Sequence, residues 1–198
     1  MFIIILMTKD ELWIAWNEFK KLLELNKIPY SLSPMTARVI SKNEKVTPDN
    51  FRISLWWKDF FDLKYFNNSI FLTNDETNEK DLSPFFKCQN KRIYIDLIVG
   101  TSKEKCKNLY SFKTHNRLLF WGKNKINLAT KIFGSKSKIL GLIELINTIK
   151  EDRFLRLIVL SSCHDDFRFF SDLNWKTVEL AKINDEYFPV FSQFLKIK

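Results

Sequence analysis

Three side chains suited to phosphate binding, Lys113, His115 and Arg117, occupy alternate positions of the segment 112–121. Alternate residues of a β-strand point to one face and repeat about every 7 Å. This interval is close to that of successive phosphates along a nucleic-acid strand, and the fork of an arginine holds a phosphate with two hydrogen bonds. The pattern predicts a strand that binds a polyanion.

The positive charge of the chain is concentrated around this segment. Residues 87–138 contain 13 Lys or Arg against two acidic residues, Asp96 and Glu104, a net charge of +11. The whole chain has 32 basic and 23 acidic residues, so the remainder holds 19 and 21, a net charge of −2. Such concentration is typical of nucleic-acid binding, because each neutralised phosphate releases a counterion. A solvated lysine-rich face is the alternative interpretation.

The same region resembles a known family. The run NKRIYIDLIVGTSKEKCKNLYSF, followed by KTHNRLLFW, is similar to the core segment of the small-subunit ribosomal protein S-ten family. That family has a basic-aromatic strand, a short loop, an aromatic residue and then Arg-Thr-His-x-Arg-Leu. Thr114, His115, Arg117 and Leu118 match this pattern, and Lys113 stands where the family usually has Arg.

The resemblance implies both a fold and a function. The fold would be α+β, a ferredoxin-like split βαβ arrangement with a four-stranded antiparallel sheet, two helices on one face and a long extended arm. The protein would be a structural component of the small-subunit head, bound to ribosomal RNA and to neighbouring head proteins. Carried over by position, the RNA-binding residues would be Lys91, Arg92, Lys103, Lys105, Lys107, Lys113, Thr114, His115 and Arg117.

The resemblance also divides the chain. Residues 1–40 and 89–161 would form the S-ten-like domain, with the arm at about 28–40 and 89–111. Residues 41–88 would be an insertion in the arm, and residues 162–198 a C-terminal extension. We expect the apolar side chains of this extension, such as Phe188 and Phe194, to pack on the domain or on a neighbouring protein.

Local patterns predict the elements of the first half. Phe2–Met7 is a short apolar run rich in β-branched residues, which predicts a buried strand. Thr8 and Glu11 match a capping box, so a helix should begin there and bury a stripe from Leu12 onward. Residues 28–40 contain two prolines, which favours an extended segment.

In the second half, alternation predicts strands at residues 91–99, 112–121 and 153–160, and helical spacing predicts a helix at 137–149. The insertion contains an aromatic cluster. Its members either stack on RNA bases or pack on protein. They are Trp56, Trp57, Phe60 and Phe61.

The motifs of common enzymes are absent from the sequence. It contains no glycine-rich phosphate loop, no G-x-S-x-G and no H-E-x-x-H, and its three cysteines form no C-x-x-C pair. We therefore expect a protein that is not an enzyme, with no catalytic residue, metal ligand or cofactor. The alternative is a metal-dependent nuclease or mobile-element enzyme that uses His164-Asp165-Asp166 or Glu18-x-Lys20. A third option is a protein-protein adaptor.

The first seven residues, MFIIILM, are apolar but lack a basic flank. They match neither a signal peptide nor a membrane span nor an arginine-rich transit peptide. Phe occurs 19 times, a bias typical of AT-rich coding. Taken with the resemblance to the S-ten family and with the insertion, these observations predict a mitochondrion-encoded, ciliate-like protist member in the mitochondrial matrix, with no membrane partner and no small-molecule substrate.

Overall fold

The chain is α+β in a computed structural model that describes residues 3–73, 84–101, 156–160, 168–170, 173 and 175–196. The helices are α1 (Ile3–Leu25), α2 (Pro34–Ser41), α3 (Trp57–Phe66) and α4 (Ser192–Leu195). The strands are β1 (Tyr30–Leu32), β2 (Arg52–Trp56), β3 (Phe71–Leu72), β4 (Phe85–Cys88), β5 (Lys91–Thr101), β6 (Arg156–Leu160), β7 (Arg168–Phe170), β8 (Val178–Ile183) and β9 (Glu186–Phe191).

Strand β5 is the centre of the main sheet. The order is β1-β2-β5-β4-β3, and β6 also pairs with β5 and carries β7. Tyr94 pairs with Arg52 of β2 and with Phe85 of β4, so β2 and β4 lie on opposite edges of β5. Residues of β6 pair further along, at 97–101, on the edge opposite β2. Strands β4 and β6 therefore follow one another along the same edge, and β8 and β9 form a separate ribbon.

The predicted α+β class is confirmed, but the four-stranded antiparallel ferredoxin-like sheet is not what the chain forms. Strands β2 and β5 are parallel, and a parallel pair needs a crossover rather than a hairpin. Helix α3 and strands β3 and β4 lie between them in sequence. Strand β2 belongs to residues 41–88, the stretch expected to be an insertion, and it occupies the position between β1 and β5.

Helix α1 is longer than predicted. It extends from Ile3 to Leu25, so the predicted strand at residues 2–7 is wrong. No turn residue separates that apolar run from the helix, and a short apolar run fits a helix as well as a strand. The predicted helical stripe is confirmed, since Leu12, Trp16, Phe19 and their neighbours Ala15 and Leu23 are all buried.

The predicted extended segment at 28–40 is wrong beyond Leu32. Only Tyr30–Leu32 is extended, and α2 begins directly afterwards. The Ser33 hydroxyl accepts a hydrogen bond from the Thr36 amide at 3.2 Å, and Pro34 occupies the first turn. Serine at the N-cap followed by proline is a favoured helix start, because both satisfy or remove amides that lack a helical partner.

The core lies between α1 and one face of the main sheet. This apolar face carries Ile53, Leu55, Phe71, Phe86, Ile93, Ile95 and Leu97, all buried. The ring of Phe19 stacks on that of Phe86, with centroids 4.8 Å apart. The predicted strand at 91–99 is thereby confirmed as the buried centre. The strand predicted at 153–160 is confirmed as β6 for residues 156–160, and residues 153–155 lie outside the described ranges.

The β8–β9 ribbon packs on the same helix. Phe188 is fully buried, and its ring lies 5.2 Å from that of Trp16. The Trp16 Nε1–H group donates to Glu186 Oε2 at 3.2 Å, and Lys20 forms an ion pair with the same carboxylate. The expectation that the C-terminal aromatic residues would pack on the domain is confirmed for Phe188, Phe191 and Phe194.

Candidate nucleic-acid interface

The β4–β5 hairpin positions the basic residues that the structure describes. A two-residue turn joins the strands, because Cys88 pairs with Lys91 across Gln89 and Asn90. Gln89 has a positive φ of 52°, which a type II′ turn requires at its first central residue. The runs FFKC and KRIYI flank this turn and form the two paired strands.

Three cations gather near the end of this hairpin. Lys87 and Arg92 are direct cross-strand partners, so their side chains leave the same face of the sheet. Both are exposed, and Lys91 is half-buried on the other face. Residues 84–95 contain no Asp or Glu. Like charges placed directly opposite are unfavourable in a ladder, which makes this end of the sheet a favourable position for an anion.

The sheet face that carries Lys87 and Arg92 lies opposite the face that α1 covers, and we call it the second face. On it, a row of cations and aromatic rings runs inward from Arg92 to Asp96, which we call the Arg92–Asp96 ladder. The Arg92 guanidinium lies 4.6 Å from the ring centre of Phe85. That ring meets the edge of Tyr94 at 5.8 Å. The guanidinium of Arg52 lies 4.7 Å from the Tyr94 ring, and its Nη1 is 3.5 Å from Asp96 Oδ1. Cations held over aromatic faces are stabilised by the ring quadrupole.

The two ends of this Arg92–Asp96 ladder differ in charge. At the inner end Arg52 and Asp96 are both buried, at 5% and 0% side-chain exposure, and their charges balance. At the outer end Arg92 stands opposite another cation, Lys87. The ladder therefore holds Arg92 over an aromatic ring at the end of the hairpin that also carries Lys87.

Two of the nine predicted RNA-binding residues, Lys91 and Arg92, lie on this hairpin. The other seven, Lys103, Lys105, Lys107, Lys113, Thr114, His115 and Arg117, fall outside the described residues, as do the predicted helix at 137–149 and the strand at 112–121. Sequence analysis did not single out Lys87 or Phe85. Pairing the FFKC run with KRIYI in a hairpin would have identified both.

The most basic segment of the chain begins and ends at this sheet. Thr101, the last residue of β5, is the register partner of Arg156, the first residue of β6. Residues 102–155 between them contain 12 Lys or Arg and 4 Asp or Glu, a net charge of +8 out of +9 for the chain. Register partners lie about 5 Å apart. The two ends of the segment therefore leave the sheet side by side.

The aromatic cluster of residues 56–61 packs on its own chain. Phe60 is fully buried, and Trp56, Trp57 and Phe61 are partly buried against the core. Of the two interpretations left open for these side chains, packing on protein is thus the one observed. The exposed aromatic residues of α3 are instead Tyr65 and Phe66, at 82% and 78% exposure.

The Glu18-x-Lys20 pattern of the nuclease alternative is not assembled into a site. Glu18 pairs with Lys21 at 2.8 Å, while Lys20 pairs with Glu186. Phe19 between them is buried. Within the described ranges no group of three or more His, Cys, Asp or Glu side chains is close enough to hold a metal ion. His164, Asp165 and Asp166 lie outside those ranges.

None of the helices that the structure describes combines the length and the apolar character that a membrane crossing needs. Comparisons with protein-family models, with curated proteins and with solved structures found no match for this chain.

Proposed function

We propose that this chain is a non-enzymatic RNA-binding protein, and that its RNA is the ribosomal RNA in the head of a mitochondrial small ribosomal subunit. The observation that carries the proposal is the grouping of Lys87, Lys91 and Arg92 on a hairpin whose residues 84–95 include no carboxylate. Lys87 and Arg92 share one face of the hairpin and Lys91 lies next to them on the other face, and cations so grouped are suited to a phosphate backbone.

The arrangement of charge along the chain supports the proposal. Outside residues 102–155 the chain has 20 basic and 19 acidic residues, so its scaffold is almost neutral. The +8 segment starts at the end of β5, the same strand that begins with Lys91 and Arg92. A nearly neutral domain with one basic segment is suited to contacts with phosphates and with the shape of RNA.

The ribosomal setting rests on the motif at residues 113–118, which resembles the S-ten family. The order of elements in residues 3–41 differs from the order implied by that resemblance, so the first half of the chain contributes nothing to this part of the proposal. The surviving support is the strand 91–101 followed by the basic segment and the Thr-His-x-Arg-Leu run.

Sedimentation of the native protein tests the proposal. We expect it to migrate with small ribosomal subunits from mitochondria at low salt and to separate from them as the salt concentration rises, because phosphate contacts weaken with salt. Migration apart from ribosomes, with salt-dependent RNA binding retained, would remove the ribosomal setting alone. Partner binding that is insensitive to salt would instead support a protein-protein adaptor.

A cleavage assay tests the nuclease alternative directly. Purified protein is incubated with single-stranded and duplex RNA and DNA in the presence of Mg²⁺ or Mn²⁺. We expect no cleavage, and the same result for a variant with alanine at residues 164, 165 and 166. Metal-dependent cleavage that this triple variant loses would contradict the non-enzymatic part of the proposal.

A further inference from the structure

Strand β8 lies at the edge of the β8–β9 ribbon. Among the described residues it pairs only with β9, across a two-residue turn at Asn184 and Asp185. The other edge of β9 lies beside β1, where the Phe191 amide donates to the Ser31 hydroxyl at 3.2 Å. The outer edge of β8 is therefore an edge that no described strand covers.

The register shows which backbone groups of β8 point toward this outer edge. A two-residue turn is closed by a hydrogen-bonded pair, here Ile183 with Glu186, and hydrogen-bonded pairs then alternate with non-hydrogen-bonded pairs. By this alternation Leu180 and Pro189 form a non-hydrogen-bonded pair. The residues of β8 whose N–H and C=O groups point away from β9 are Val178, Leu180 and Lys182.

Two features of β9 support this assignment. Proline lacks an N–H group, and Pro189 stands at a position where the ladder needs none. Phe191 belongs to another pair of the same kind, with Val178, and its amide donates away from β8, to Ser31. Within the described ranges, the outward groups of β8 form no backbone hydrogen bond beyond the ribbon. They are positioned to pair with a further strand.

The side chains at this edge also favour an added strand. Leu180, in the middle of the strand, is 68% exposed, whereas Ala181 and Ile183 on the opposite face of the ribbon are buried. Tyr187 lies diagonally across from Leu180 on the exposed face and is 59% exposed. Edge strands that remain single usually carry a charge or a proline at their centre. Here the centre is a leucine.

We infer that the added strand is β8 of a second copy of this chain, antiparallel to the first and with Leu180 opposite Leu180 of the second copy. In this register Val178 faces Lys182 at both ends, so each outward residue exchanges hydrogen bonds with an outward residue. The two ribbons become one four-stranded sheet, and each exposed leucine covers the other. The inference does not rest on the proposed function, because the β4–β5 hairpin takes no part in it.

The charges of β8 fit this register and exclude its neighbours. With the two-fold axis at Leu180, Glu179 faces Ala181 and Lys182 faces Val178, so no like charges are opposed. An axis at Glu179 would oppose two carboxylates. An axis at Ala181 would place each leucine opposite a lysine. The edge of β8 is thus complementary to itself in one register, which is the argument for a second copy as the partner.

The interface is small. A pair of strands of about five residues buries less than the roughly 1,200 Å² at which stable interfaces begin. We therefore expect a dimer that dissociates on dilution.

The test is sedimentation velocity of the full-length protein over a range of concentrations. Nucleic acid is removed first and the salt concentration is kept high, so that RNA does not link two copies. The variants Leu180→Lys and Leu180→Glu each place like charges at the two-fold axis. Leu25→Lys makes the same change at a leucine of α1 that is 80% exposed, and it is the matched control.

We expect the wild type and Leu25→Lys to change from monomer to dimer as the concentration rises, and each Leu180 variant alone to remain monomeric over the same range. An equimolar mixture of Leu180→Lys and Leu180→Glu should dimerise again, because opposite charges then face each other. Mixing would not restore a variant that had lost its fold.

Three results would overturn the inference. The first is a wild type that stays monomeric at every concentration, whether or not a strand of another protein takes the edge. The second is a Leu180 variant that dimerises as the wild type does. The third is a mixture of the two variants that stays monomeric. None of these results bears on RNA binding, which is measured separately.

Discussion

Arg52 and Asp96 form a buried ion pair between parallel strands, with Arg52 Nη1 3.5 Å from Asp96 Oδ1. The pair is diagonal in the ladder, because the register places Tyr94 beside Arg52 and Ser54 beside Asp96. Both side chains leave the second face of the sheet, opposite the face that α1 covers. Two charges so deeply buried depend on each other for stability.

Removing one member of this pair should be costly. We expect Asp96→Ala to lower the free energy of unfolding by about 3–5 kcal/mol, because it leaves the Arg52 charge buried without its counter-ion. The double variant Arg52→Met, Asp96→Leu should lose less free energy of unfolding than Asp96→Ala, because neither charge remains buried. Urea unfolding measures both, and a double variant that loses the sum of the two single effects would contradict this account.

The stack of Phe19 on Phe86 should account for much of the contact between α1 and the sheet. Phe19→Ala should destabilise the protein by about 3–5 kcal/mol, through lost burial and the cavity it leaves. Phe66→Ala is the matched control, because that ring is 78% exposed, and its effect should stay within about 0.5 kcal/mol. Thermal unfolding of the two variants side by side checks the contrast.

The Thr36 hydroxyl connects α2 to β2. It accepts from the Arg52 amide at 2.8 Å and lies 2.8 Å from the Asn50 carbonyl. Thr36→Val should destabilise by about 1–3 kcal/mol, because a buried amide loses its acceptor. Thr36→Ser retains the hydroxyl, so a stability loss from serine as large as that from valine would show that the methyl group matters instead. Denaturant unfolding distinguishes these outcomes.

Tyr30 should make the stability depend on pH at the alkaline end. Burial, followed by the nearby carboxylates of Glu186 and Glu24, raises its pKa from the ordinary value of 10.0 to about 12. The folded protein then keeps the Tyr30 proton where the unfolded chain has lost it. The contribution of the Tyr30 hydroxyl to the free energy of unfolding is fully present below pH 10, the ordinary tyrosine pKa. It is lost as the pH rises toward about 12.

An ultraviolet titration of tyrosinate, compared between the wild type and Tyr30→Phe, measures the late-titrating group. Glu186→Gln removes one of the two carboxylates, so it should shift the Tyr30 pKa downward. A Tyr30 that titrates with the exposed tyrosines, or a Glu186→Gln variant with an unchanged titration, would contradict this interpretation.

The residues 113 and 117 should contribute to RNA binding through their charge. If both contact phosphates, replacing Lys113 and Arg117 with alanine should flatten the salt slope of binding by about 1.4–1.8 units, at about 0.7–0.9 per contact. Lys45→Ala serves as the control for loss of a surface cation. An unchanged slope in the double variant would place both residues outside the interface.

Local sequence patterns correctly predicted those elements whose structure is determined by residues close together in the sequence. The alternation of Ile93 and Ile95 identifies β5 because one face of that strand is buried. The spacing of Leu12 and Phe19 identifies the buried stripe of α1 for the same reason. At residues 2–7 the apolar run fits two structures equally well, and continuity with α1 decides between them.

Other features depend on pairings between distant parts of the chain. Polar and apolar residues alternate along β2, at Arg52, Ile53, Ser54 and Leu55. The aromatic residues that follow indicate packing, but they do not predict that β2 lies inside the main sheet. The partners Arg52 and Asp96, like Lys87 and Arg92, meet only because of the sheet register. The residue pattern of either segment alone does not predict that these side chains lie next to each other.

The neighbouring positions of Thr101 and Arg156 have an evolutionary consequence. Because these two residues are register partners, a change in chain length between residues 102 and 155 need not shift the pairing of β5 with β6. Chain-closure entropy grows slowly, by about 0.6 kcal/mol for each doubling of length. Evolution can therefore change the length and the charge of this basic stretch of sequence while the β5–β6 pairing stays the same.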